Sequence, residues 1–121
     1  METSNKPLNG GQILANALVR QGVDLAFGVP GESFLPLLNG LVDHPEFQFI
    51  TCRQEGGAAY MAEAYGKLTG KPGVLMVTRG PGASNAMVGV HTAYQDSTPM
   101  VLLIGQVGTD MVEREAFQEV D

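Results

Sequence analysis

Apolar positions repeat with a helical period in four stretches of this chain and form short continuous runs in four others. Asn9 precedes the first helical stretch, about 10–21, and Gln12 stands where it can close a capping box. Ile13, Leu14, Ala17 and Leu18 form the apolar stripe of that helix. Val23 to Val29 is a short apolar run ending in Gly28-Val29-Pro30-Gly31, the pattern of a buried strand and a turn. Ser33 is placed to cap a second helix with the stripe Phe34, Leu37, Leu38 and Leu41. Pro36 falls in its first turn, where a missing N–H costs little, and Asp43-His44-Pro45 ends it. Phe47 to Cys52 predicts a second strand. Gly56 to Thr69 predicts a helix with Ala58, Met61, Ala62 and Tyr65 on one face. After the turn Gly70-Lys71-Pro72-Gly73, Val74 to Thr78 is an almost wholly apolar strand. Ala83 to Gln95 then carries Ala83, Ala86, Met87, Val90 and Tyr94 on one helical face. Ser97 to Pro99 breaks it, Met100 to Ile104 is a fourth strand, and Gly105 to Asp121 has no clear period and many charges.

This alternation of helix and strand predicts an α/β fold. The expected form is a doubly wound, mostly parallel sheet in a three-layer αβα sandwich, with residues 1–121 as one domain. No linker, repeat or low-complexity segment divides the chain, and its irregular end leads us to expect a piece of a longer protein. The 44% hydrophobic and 17% charged residues exclude a disordered or fibrous chain. Seven Lys and Arg against thirteen Asp and Glu give a net charge of −6, which argues against sequence-independent nucleic-acid binding. No apolar run approaches a membrane span, and Met1 to Pro7 holds no signal-like apolar region. The single Cys52 cannot form an internal disulfide, so the expected location is cytoplasmic.

Sixteen glycines are the unusual count, and they gather where strands meet helices. Open parallel sheets bind ligands at the carboxyl ends of their strands. Four glycine-bearing loops fall there: Val29 to Gly31, Arg53 to Gly57, Thr78 to Gly82 and Gly105 to Gly108. Gly80 to Asn85 begins like a dinucleotide fingerprint but lacks its third glycine. Gly66 to Lys71 is one residue short of a phosphate-binding loop. The plain reading of Gly80 to Gly82 is a tight strand-to-helix turn. Glu55 is the sharpest feature, since Gly56 and Gly57 leave its carboxylate uncovered for a planar ligand. Its plain reading is an acid stabilised by a helix N-terminus. His91 reads as a half-buried, hydrogen-bonded side chain, His44 as a turn residue and Cys52 as a buried strand residue. Glu113, Arg114, Glu115 and Glu119 read as a solvated face. No catalytic triad or metal-spaced cluster can be assembled.

The order of the loops carries a resemblance. It runs Val29-Pro30-Gly31, Glu55-Gly56-Gly57-Ala58-Ala59 with Ala62-Glu63-Ala64-Tyr65-Gly66, Thr78-Arg79-Gly80-Pro81-Gly82-Ala83-Ser84-Asn85, Asp96-Ser97-Thr98-Pro99, Gly105-Gln106-Val107 and Ala116-Phe117-Gln118-Glu119. From about Gly11 to Asp121 this resembles the N-terminal, pyrimidine-binding domain of thiamine-diphosphate enzymes of the acetolactate synthase and pyruvate oxidase group. Many relatives have His where Gln54 stands and Ser where Arg79 stands.

The resemblance implies a role for each matching position. Glu55 would hydrogen-bond N1′ of the cofactor's aminopyrimidine and favour the imino tautomer, whose nitrogen takes the proton from thiazolium C2. The resulting nucleophile attacks a 2-oxo acid such as pyruvate, and carbon dioxide leaves. Val29 and Pro30 would flank the pyrimidine, and Thr78, Gly82 and Asn85 would line its pocket. Phe117 and Gln118 would approach the reaction centre, with Gln118 a catalytic candidate beside Glu55. No metal ligand is assigned within the chain. The diphosphate and Mg2+ would be held by a domain absent here, usually of a partner subunit in a homodimer or homotetramer, and FAD is left open. The segment alone would be inactive. The expected function is the pyrimidine-binding half of a 2-oxo acid decarboxylase or carboligase, most like an acetolactate synthase catalytic subunit. The alternatives are a non-catalytic assembly module of the same fold and a flavodoxin-like nucleotide-binding domain. Self-association through the Gly56 to Gly66 helix is expected.

Overall fold

A computed structural model describes residues 6–121. Four helices, α1 (Gly10–Arg20), α2 (Leu35–Leu41), α3 (Glu55–Thr69) and α4 (Arg79–Asp96), alternate with four strands, β1 (Leu25–Gly28), β2 (Gln48–Thr51), β3 (Gly73–Thr78) and β4 (Met100–Gly105). All strand pairs are parallel and the order is β2-β1-β3-β4. The chain therefore winds outward in both directions from β1 and β3, as the expected doubly wound sheet requires. Side chains of β3 alternate between two cores. Val74 and Met76 join Ala15, Leu18, Phe34, Leu37 and Leu41 of the α1–α2 layer. Leu75 and Val77 join Ala58, Ala59, Ala62 and Ala86 of the α3–α4 layer. Only β3 is buried along its length, and β2 is largely exposed, because β3 is central and β2 lies at the sheet's border.

The capping box on α1 forms as the sequence predicts, with Asn9 and Gln12 each bonding the other's backbone N–H at 2.9 Å. The helix faces differ from expectation in a consistent way. In α1 the buried residues are Ala15 and Leu18, while Ile13 and Leu14 face outward. In α3 Met61 is exposed, and Gly56, Ala58, Ala59, Ala62 and Gly66 are buried. In α4 Met87 and Tyr94 are exposed over a buried row of Gly82, Ala83, Ala86, Gly89 and Ala93. Small residues win the inner positions because the backbones approach closely. A Cβ on Gly11 would lie 2.2 Å from the Pro36 carbonyl carbon, and one on Gly89 would lie 2.4 Å from the Ala59 Cβ. The small face of α3 is thus spent on α4 and β3, which leaves Tyr60, Met61 and Leu68 as its outward apolar residues.

Ser33 does not cap α2. It lies within a 3-10 turn, Glu32–Phe34, whose N-cap is Gly31, and its hydroxyl bonds Thr78 instead. Gly80 to Gly82 is likewise no separate turn but the first turn of α4, which starts directly at the end of β3. Arg79 makes that sharp junction with a left-handed φ of +48°. His91 is exposed, and Cys52 is half-buried just past β2, with its Sγ 3.7 Å from Met61 Sδ. His44 does lie in the turn after α2, where it bonds Asn16 across the layer at 2.7 Å.

One polar network crosses the α3–α4 layer. Buried Glu63 receives Lys67 Nζ at 3.0 Å and the Thr98 hydroxyl at 3.0 Å, and Lys67 also reaches Asp96 at 2.6 Å. These bonds, first to Asp96 and then to Glu63, raise the Lys67 pKa above its ordinary value. A raised lysine pKa stabilises the fold fully below the unfolded-state value and loses that contribution as pH climbs through the folded-state value. Urea midpoints should therefore fall in strongly alkaline solution, above about pH 10, and Lys67→Met should reduce that alkaline fall relative to wild type.

A second expected outcome concerns spacing. Gly89→Ala should lower unfolding free energy by about 1–3 kcal/mol through overpacking, although alanine is the better helix former. Gly10→Ala, with nothing within 4 Å of its Cβ, should be neutral or slightly stabilising in the same denaturation assay.

Candidate functional site

Because all four strands are parallel, their carboxyl ends gather the loops at one border of the sheet. Glu55 is the first residue of α3 and half-buried. The helix starts there because Gln54 is extended and its side chain accepts from the Gly57 N–H at 3.1 Å. Gln54 is therefore a cap. The carboxylate of Glu55 accepts from Asn85 Nδ2 at 3.3 Å. Among the described residues Asn85 is the only side chain that donates to it.

The two glycines after Glu55 do different work. A Cβ on Gly56 would stand 2.7 Å from Gln54 Oε1, 3.2 Å from Val88 and 3.3 Å from the Asn85 carbonyl oxygen, so Gly56 permits α3 to meet α4. A Cβ on Gly57 would meet nothing within 4 Å. The open position is therefore Gly57, and Gly56 is closed by packing.

Gln118 comes to the same neighbourhood from the far end of the chain. Gln106, just past β4, bonds the Val120 backbone in both directions. The carbonyl oxygen of Gln118 accepts from the Gly80 N–H at 2.8 Å. Gln118 itself has a φ of +63°. Glu119 is no part of a solvated face: its carboxylate accepts from the backbone N–H groups of Glu113 and Ala116 and ties the segment into a tight turn. Phe117 remains exposed. Glu55 and Gln118 thus both abut the first two turns of α4, one through the Asn85 side chain and the other through the Gly80 backbone.

Val29 and Pro30 follow β1. Gly31, next in line, packs so closely on Thr78 that a Cβ there would be 2.5 Å from the Thr78 Cβ. The Thr78 hydroxyl bonds Ser33 Oγ at 2.6 Å. Gly82 is buried against Val77 and Thr78, with a Cβ position 3.2 Å from Val77, and so serves the packing of α4 on β3. The sequence reading missed two features at this border. One is the Ser33–Thr78 bond. The other is an ion pair in which Arg79 Nη1 donates to Glu32 Oε1 at 2.9 Å. The unusual Arg79 was the only signal for it. A concavity of about 700 Å³ lies among Glu113, Glu115, Ala116, Gln118, Glu119 and Asp121, and Glu55 does not line it. Among the described residues no group of three or more His, Cys, Asp or Glu is placed to hold a metal ion. No helix there is long and apolar enough to cross a membrane.

Comparison with known proteins gives a consistent result. Residues 8–121 match the model of the family described as thiamine pyrophosphate enzyme, N-terminal TPP binding domain. Acetolactate synthase catalytic subunit, mitochondrial, of Saccharomyces cerevisiae is 44% identical over 121 residues, which is 100% of this chain and 18% of that protein. Acetolactate synthase large subunit of Lactococcus lactis is 44% identical over 116 residues, 96% of this chain and 20% of the relative. Acetolactate synthase isozyme 3 large subunit of Escherichia coli is 41% identical over 114 residues, 94% of this chain and 20% of the relative. The chain spans about a fifth of the length of these relatives.

The division of labour between the two glycines is testable by thermal melting. Gly56→Ala should lower the melting temperature by several degrees. Gly57→Ala should leave it unchanged or raise it, since alanine favours the helix and meets no neighbour.

Proposed function

Since this chain belongs to the thiamine pyrophosphate enzymes, as their N-terminal TPP binding domain, we propose that Glu55 is its proton-handling residue and that the cofactor's pyrimidine lies against the loops at this border. The observation that carries this reading is a half-buried carboxylate at the carboxyl border of the sheet, held among the described residues by a single amide. The residues fit the group. A flat heteroaromatic ring needs close backbone approach, and its ring nitrogen needs a carboxyl partner that can share a proton. Asn85 orients the carboxyl group through Oε2. Val29 and Pro30 would form an apolar wall, and Thr78 would stand behind it.

When bound, thiamine diphosphate supplies a thiazolium that accepts the electron pair released as a 2-oxo acid loses carbon dioxide. Glu55 would hold and return the proton at the ring nitrogen. Gln118 would act at the substrate side of the same border. Gly82 is better read as a packing residue than as a lining one.

The names of the relatives support an acetolactate synthase-like activity in the whole protein, and a 2-oxo acid such as pyruvate is the substrate proposed for it. The flavodoxin-like alternative loses its ground to the family match. Mg2+ and the diphosphate would be held by a further part of the protein, and the complete site would be closed by a partner subunit in a homodimer or homotetramer. A cytoplasmic location is proposed on the same footing.

In the whole protein, Glu55→Gln should leave the melting temperature of the cofactor-free form near that of wild type. It should slow deuterium exchange at thiazolium C2, and turnover with it, by about 10²–10⁴-fold. Exchange at the wild-type rate, followed by NMR, would refute the assigned role.

A further inference from the structure

Arg79 concentrates three unfavourable features in one residue. Its φ of +48° lies in the left-handed region. It opens an 18-residue helix, where a cation opposes the positive end of the macrodipole. Its Nε is buried with no hydrogen-bond partner among the described residues. Such a residue persists where its surroundings over-determine it, and clustered strain of this kind marks functional borders.

What holds it is specific. The guanidinium, with the side chain only 16% exposed, donates from Nη1 to Glu32 Oε1 at 2.9 Å. One residue along on each side, Ser33 Oγ and Thr78 Oγ1 lie 2.6 Å apart. Glu32 and Ser33 belong to the loop after β1, whereas Thr78 ends β3 and Arg79 opens α4. These are the adjacent strands from which the sheet winds in opposite directions, the place where open α/β sheets admit ligands. Two glycines leave the hydroxyl pair its space. A Cβ on Gly105 would stand 2.0 Å from Ser33 Oγ, and one on Gly31 would stand 2.9 Å from Thr78 Oγ1.

The geometry points to a two-bond clasp, Glu32–Arg79 beside Ser33–Thr78, that fixes the Val29-Pro30 segment against the start of α4 before any ligand arrives. Glu32, Ser33 and Arg79 are positioning residues: they act on the ligand through the segment they hold. The inference rests on the functional reading above, because the segment so fixed is the wall assigned to the pyrimidine. It adds that the wall is pre-shaped by a bridge the sequence carries at Glu32 and Arg79. The ion pair is worth little as a surface contact, given that Glu32 is 70% exposed. Its effect is on loop population.

The test uses the whole protein, titrated calorimetrically with thiamine diphosphate in excess Mg2+. Glu32→Gln and Arg79→Lys should each weaken apparent affinity about 5-fold, as expected where the competent loop arrangement falls to about a fifth of the population. The double variant should bind no worse than the weaker single. Glu32→Arg with Arg79→Glu should recover part of the loss, and Ser33→Ala should weaken binding to a similar degree. Turnover at saturating cofactor and melting of the cofactor-free form should hold near wild type. Wild-type affinity in both single variants, or losses that simply add, would overturn the clasp. So would lowered melting with affinity intact, which marks a merely structural tie. Wild-type protein that binds no thiamine diphosphate would overturn the functional reading itself, and the clasp's purpose with it.

Discussion

The spacing between α3 and its surroundings is the constraint on which the site depends. Along its length the helix is approached at near-backbone distance. Gly56 meets Gln54, Val88 and Asn85, Ala59 meets Gly89, Ala62 meets Gly73, and Gly66 meets the Pro99 carbonyl. A Cβ on Gly73 would lie 1.9 Å from the Ala62 carbonyl oxygen, and one on Gly66 would lie 2.4 Å from the Pro99 oxygen. At Gly66, Gly73 and Gly89 a Cβ would collide with backbone, so these positions admit only glycine without a backbone shift. The helix axis is thereby fixed to α4, β3 and the start of β4 together. Its first residue, Glu55, inherits that placement, and so does the bond from Asn85. A carboxyl group intended to share a proton at one ring nitrogen needs placement of this quality, because hydrogen-bond strength falls steeply with geometry.

The same constraint explains what is legible in the sequence. The order of elements, the parallel sheet and the capping box are all readable, because they follow from period, turn residues and the Asn9–Gln12 spacing. The helix faces are less so. A stripe search favours large apolar residues, and it selects Ile13, Leu14, Met61, Met87 and Tyr94, all exposed here. The inner positions it does not select go to Ala15, Ala59 and Gly89, beside Ala62 and Ala86, which it does select, because close-packed helices select for smallness over hydrophobicity. Phe27 and Tyr65 mark the exception, an edge-to-face pair 6.5 Å apart where β1 leaves room for rings.

At the candidate site the local signals are readable and the long-range ones are not. Glu55 stands out by position, just past a strand and before two glycines. Asn85 enters through the resemblance and then proves to be its hydrogen-bond partner. Gln54, by contrast, turns out to be a cap, a role that only the φ of −155° and the bond to Gly57 reveal. Glu32 and Arg79 are 47 residues apart, so the pairing follows from the β1–β3 register and has no local signature. Arg79 is visible only as a departure from a familiar string.

β4 has a consequence for how this chain behaves at high concentration. It pairs with β3 along one flank and has no strand on the other among the described residues. Its run Met100-Val101-Leu102-Leu103-Ile104 carries no charge and no proline, and Val101 and Ile104 are exposed. Charges, prolines and bulges are what ordinarily keep such a margin from recruiting neighbours. By that rule this flank of β4 is open to further strand pairing, and association of the chain with rising concentration would begin there.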